Sequence, residues 1–226
     1  TTVFSSCSDD DDNKSHAEAE LKKQEEMKDI TTTYVNDVVY YTYGKLADAT
    51  ESLYGKIETM KSNLSAGNLT QDQIDDVCNT FLEARAWWEK SEAWLYGPAD
   101  VHGIDPHIDT WPLSRDGLAT FLKNNKNTIF ASGYDINDAI EQVSNNNNED
   151  SWLGFHGLEF ILFRNGNPRT VSDFNGEETA SEFVGSGVDG KLELDFALAV
   201  AGDLRDHCYW LEVGWKGESA PSDRIA

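Results

Sequence analysis

Trp152-Leu153-Gly154-Phe155-His156-Gly157-Leu158-Glu159-Phe160-Ile161-Leu162-Phe163 is the most apolar run in the chain, and only His156 and Glu159 in it can ionise. A continuous apolar stretch of this length, extending back to about Glu149, reads as a buried helix. Residues three apart on a helix share a face, with Cβ atoms within about 6 Å of each other. Burying either group alone costs several kcal/mol, so such a pair persists when it is hydrogen-bonded, ion-paired or bound to a metal. Gly154 and Gly157 remove side-chain bulk beside the imidazole and permit close approach of another element or a ligand.

Working outward, helical spacing dominates. The proline-free stretch 15–64 places Val35, Val38, Val39, Thr42, Leu46 and Ala49 three and four residues apart, with the polar start giving way to apolar residues near Tyr34. Ser65-Ala66-Gly67-Asn68 ends that segment, and Thr70-Gln71-Asp72-Gln73 has the pattern of a capped helix start. The next helix is expected to run to about Tyr96, before Gly97-Pro98. Residues 97–113 hold three prolines and read as an irregular connection. Short helices are expected over Asp116–Lys123 and Asp135–Val143, a loop over Asn145–Asn148, a Gly-, Asn- and Ser-rich segment over 164–190, and a last helix over Leu192–Val213. No alternating pattern lasts long enough for a sheet, so the expected class is all-α, a helical bundle with long irregular loops.

The chain has 226 residues, 39% of them hydrophobic and 11% aromatic, enough to bury a core. With 41 acidic against 18 basic residues its formal charge is -23, which excludes a nucleic-acid backbone as partner and favours cations. No stretch approaches the roughly 20 apolar residues of a spanning helix. Thr1-Thr2-Val3-Phe4-Ser5-Ser6-Cys7 resembles a bacterial lipobox, with Cys7 as the lipidated residue. The acidic run that follows reads as a solvated tether, so residues 1–14 are expected to be linker and 15–226 the folded domain. Cys78 and Cys208 match no zinc spacing, and their pairing as a disulfide stays open.

As a protease motif the His156–Glu159 pair is incomplete, because no second helical histidine follows it. Gly154-Phe155-His156-Gly157-Leu158-Glu159 nevertheless resembles the Gly-x-His-x-x-Glu signature of imelysin-like proteins. Ala84-Arg85-Ala86-Trp87-Trp88-Glu89-Lys90-Ser91-Glu92-Ala93-Trp94 is similar to that family's Ala-Arg…Glu-Ala-aromatic segment, and His107-Ile108-Asp109-Thr110-Trp111-Pro112-Leu113 to its Trp-Pro-Leu turn. The resemblance covers most of residues 30–215. It implies a fold of two related helical bundles, of which this chain matches the N-terminal half, and a place in the cell envelope, periplasmic or on the outer surface, near iron uptake.

It also implies a site. His156, Glu159 and Glu92 are the expected metal ligands, with iron favoured over zinc for a carboxylate-rich set. Arg85, Asp109 and Trp111 are the expected supporting residues, Arg85 orienting a carboxylate or pairing with Glu89. His107 shares the loop with Asp109 and is a second candidate ligand, ahead of His102 and Asp105, while His207 reads as surface or packing. Three functions compete: a lipid-anchored protein binding a metal ion or iron-containing ligand, a metallopeptidase with Glu159 as base, and a structural domain whose His–Glu pair is packing.

Overall fold

The computed structural model describes residues 9–131, 135, 138, 140, 141 and 152–217. The chain divides into two units, the first ending at Tyr41 and the second beginning at Thr42. Cys7 lies outside the described residues, and so does most of the segment expected to be helical over 135–143.

In the first unit, helix α1 covers Asp9–Tyr34 and passes into π-helical turns over Val35–Tyr40. Among the described residues the helix already includes Asp9–Asn13 of the acidic stretch. Its side chains from Lys14 to Tyr34 are exposed, in keeping with a composition that offers no apolar stripe.

The second unit holds the core. Helix α2 (Tyr41–Ala66) buries Tyr43, Leu46, Leu53, Ile57, Met60 and Leu64 along one face. Helix α3 (Gln71–Ser91) starts as its sequence requires. Thr70 Oγ1 accepts from the Gln73 amide at 3.4 Å, and Gln73 Oε1 accepts from the Thr70 amide at 3.1 Å, a reciprocal capping box. The helix stops at Ser91 rather than at Tyr96, tightening into a 3-10 turn over Glu92–Trp94. The connection that follows contains two short helices, α4 (Pro98–Val101) and α5 (Ile104–Ile108), the latter anchored by fully buried Ile104 and Ile108. Helix α6 spans Arg115–Asn125.

Helix α7, the motif helix, covers Gly154–Leu162 and begins later than its apolar run suggests. Gly154 sits at φ +61°, and a Cβ there would lie 1.9 Å from the carbonyl oxygen of Ile108. A side chain at this position would keep α5 away, so the two glycines of the motif serve backbone contact. Beneath His156, the Phe155 ring stacks on Trp88 with centroids 6.3 Å apart.

The segment after α7 is stitched by charge as much as by apolar contact. Strands β1 (Phe163–Arg164) and β2 (Asn167–Pro168) form a hairpin closed by Asn165 and Gly166, both at positive φ. Arg169 is 2% exposed. It grips Glu193 through both guanidinium nitrogens at 2.9 and 3.0 Å and reaches Glu178 at 2.9 Å. Arg164 adds a second contact to Glu178 at 2.5 Å. Helix α8 (Val171–Phe174) and a 3-10 turn over Ser181–Phe183 lead to α9 (Gly190–Trp215), capped by the Asp189 side chain accepting from Leu192 N at 3.0 Å. Helix α9 packs along α7 and also meets α4, α5, α6 and α8. Apart from the hairpin and one isolated bridge between Glu177 and Asp189, the described residues are helical or irregular, an all-α fold. Cys78 and Cys208 are buried free thiols.

Candidate functional site

Three elements converge on His156. Helix α7 supplies the imidazole and Glu159, the end of α5 supplies Asp109, and α3 supplies Arg85 and Trp88. His156 Nε2 stands 3.1 Å from Asp109 Oδ1 and Nδ1 stands 3.5 Å from Glu159 Oε2. The two contacts differ in kind. Nε2 is hydrogen-bonded to Asp109, whereas Nδ1 is buried and has no hydrogen-bond partner. A carboxylate only accepts, so Nε2 donates to Asp109, and Nδ1 is left facing the Glu159 side without a hydrogen-bond partner.

Asp109 is itself held firmly. Trp88 Nε1 donates to Oδ2 at 2.8 Å, and the Arg85 guanidinium donates to Oδ1. Burial alone would raise this carboxyl, but the bonds from His156, Arg85 and Trp88 together hold it below the usual carboxylate range. It is therefore ionised at neutral pH and fixes the ring plane of His156. A carboxylate behind the imidazole, with the other nitrogen free, is the arrangement by which proteins orient and polarise metal-ligating histidines. Arg85 also contacts Glu89 at 2.5 Å, so it serves as helix partner and as carboxylate clamp together.

The open side of the site is a pocket of about 390 Å³ that includes Trp111, Arg115, His156, Glu159, Phe160 and Arg164. The Trp111 ring lies 4.9 Å from the imidazole and is 70% exposed, a wall rather than a core residue. Glu159 is more than half exposed at its side chain and so is able to turn toward a ligand. The Arg164 guanidinium lies 4.0 Å over the Phe160 ring at the pocket's edge.

The structure gathers His156, Glu159, Asp109, Arg85 and Trp111 into this one place. Glu92 lies elsewhere. It sits on the 3-10 turn after α3 has ended, is exposed, and makes no polar contact with His156 among the described residues. The seven-residue spacing from Arg85 shares a face only while the helix continues, and it breaks at Ser91. The carboxylate on Nε2 is instead Asp109. His107 faces away from this pocket, with its Nε2 2.8 Å from Asp203 Oδ2 on α9. The His102 ring packs on Trp210 with centroids 5.3 Å apart. Asp203 belongs to none of the sequence motifs. Its spacing of four from His207 on one helix was the available signal.

Fold and motif together define an all-helical domain carrying a Gly-x-His-x-x-Glu helix. The imelysin family, peptidase M75, matches residues 39–225, and the chain belongs to that family. It is 31% identical over 140 residues to iron-regulated protein A of Synechococcus elongatus, an alignment covering 62% of this chain and 32% of that protein. Two solved structures share the fold. One, from Parabacteroides distasonis and assigned as an iron-regulated protein A precursor, matches at TM-score 0.58 and 23% identity over 82% of this chain and 43% of its own. The other, an imelysin-like protein from Psychrobacter arcticus, matches at TM-score 0.58 and 16% identity over 84% and 50%. The chain thus spans about a third of the curated relative it matches.

Proposed function

We propose that this chain binds a metal ion, iron favoured, through His156 Nδ1 and Glu159, as part of iron handling outside the cytoplasm. The observation that carries the reading is the buried, unpartnered Nδ1, turned toward a carboxylate 3.5 Å away while Asp109 fixes the opposite nitrogen. Metal–nitrogen and metal–oxygen bonds of about 2.0–2.2 Å fit between two atoms at that separation. Asp109, Arg85 and Trp88 hold the ring without touching the ion.

Two protein ligands leave coordination positions open. The partner is therefore an ion that brings other ligands with it, an iron-containing ligand as well as a hydrated ion. A tether at Cys7 would place the domain on the cell envelope, and that part of the reading rests on the residues preceding Cys7. No described helix is long and apolar enough to cross a membrane. The kinship with iron-regulated protein A supports iron over zinc.

The test is metal content by mass spectrometry after incubation with iron and gel filtration, for the wild type and for His156→Ala/Glu159→Ala. Retention in the wild type that the double variant loses is expected. Equal retention in both would remove the motif pair from the site.

A further inference from the structure

On its other side, α5 meets α9 at a second constellation. His107 Nε2 lies 2.8 Å from Asp203 Oδ2, and His207 Nδ1 lies 3.3 Å from Asp203 Oδ1. The two imidazoles stack with centroids 4.1 Å apart and planes 29° apart. Among the described residues, this is the group of three metal-ligating side chains whose ligand atoms all lie within 4.8 Å of one another.

The charge balance of the cluster is unusual. The Asp203 side chain is 8% exposed, and a buried carboxylate requires compensation. Among the described residues no lysine or arginine pairs with it. Arg205, two positions on, is taken up by Asp206 at 2.7 Å and by the Tyr54 ring at 4.4 Å. Only the two imidazoles face the carboxylate, and neutral rings bring no charge. The compensating positive charge is therefore either a proton on the rings or a cation between them. One ring proton is enough to balance that charge, whereas a cation would engage both of the imidazoles that stack beside the carboxylate.

We propose that His107, Asp203 and His207 form a binding site for a divalent first-row transition cation, Fe(II) or Zn(II), separate from the His156 pocket. Two imidazoles and one carboxylate are a ligand set suited to both ions. Asp203 also borders an open cavity of about 360 Å³, whose lining includes neither histidine. His207 Nδ1 lies 2.9 Å from the Asp203 main-chain oxygen, a contact the ring gives up if that nitrogen takes the ion. A ring nitrogen that carries a proton releases it to solvent as the ion enters. The site stands or falls independently of the His156 reading, because the two share no ligand.

The experiment is equilibrium loading with Zn2+ under excess Mg2+, which occupies the acidic surface, followed by gel filtration and metal analysis. Wild type, His156→Ala/Glu159→Ala, His107→Gln and His207→Gln are compared at matched far-UV circular dichroism. The motif variant is expected to keep one zinc equivalent that His107→Gln and His207→Gln each weaken. Losing a ligand costs at least the roughly 10–100-fold that losing an orienting partner costs. In the wild type, histidine ring 15N signals are followed through substoichiometric Zn2+, so that the answer does not depend on any variant folding. Shifts at His107 and His207 support the site. Unmoved signals at both rings, or unchanged zinc affinity in both glutamine variants, would overturn it.

Discussion

Replacing Gly154 by alanine tests the joint on which the His156 site depends. The new Cβ would lie 1.9 Å from the Ile108 carbonyl oxygen, and real Cβ contacts do not fall below 3.0 Å. The end of α5 must then retreat by roughly 1 Å, because a backbone carbonyl cannot rotate aside as a side chain does. Asp109 is the next residue, so the retreat stretches its 3.1 Å contact with His156. Alanine at φ +61° adds a left-handed penalty of about 1–2 kcal/mol, and the displaced packing adds about 1–3 kcal/mol. The expected loss is about 2–5 kcal/mol, or roughly 4–20 °C in Tm for a domain of this size. Gly166→Ala is the control. Gly166 also has positive φ, at +75°, but a Cβ there meets nothing within 4 Å, so it pays the backbone penalty alone. Urea and thermal denaturation of both variants measure the difference, and iron retention reads the state of the site. Equal losses in the two variants would refute the close-approach argument.

Two further outcomes follow from the buried charges. Arg169→Met leaves Glu193 and Glu178 buried without their main partner and is expected to cost about 3–5 kcal/mol in chemical denaturation; a loss below about 1 kcal/mol would show that the network carries little. Burial alone would raise Glu178, but a hydrogen bond from Glu193, itself pushed up to about 8 by burial, and the two arginines hold it down to about 2. With its folded pKa below the unfolded value, it contributes stability that is present above the ordinary value of 4.5 and is lost as pH falls toward 2. Denaturation curves across that window are expected to be flatter for Glu178→Gln than for wild type, and parallel curves would contradict the assignment.

Helical class and the order of the motif elements were legible because periodicity and caps are local. Thr70 and Gln73 announce the start of α3 in four residues, and Gly154 with His156 and Glu159 announces a helix that something approaches closely. What stayed hidden depended on tertiary geometry. The end of α3 at Ser91 has no breaker before Gly97-Pro98, so Glu92 read as a continuation of the Arg85 face. Helix α5 lies in a proline-bearing stretch with the composition of a loop, and its last turn and C-cap place His107 and Asp109 in different sites. Arg169 looked like a loop residue, because nothing local shows that Glu178 and Glu193 will surround it. The His107–Asp203–His207 cluster joins side chains 96 residues apart, and only its Asp203–His207 half lies within helical spacing.

The Arg164–Arg169–Glu178–Glu193 network also bears on how the chain reaches this state. A half-assembled network holds buried charges with no counter-charge and is worse than none, so its members desolvate together. The segment between α7 and α9, poor in regular structure, is thus held to both helices through one shared set of charges. Disturbing one of its charges is therefore expected to loosen the whole segment, and not the single contact alone.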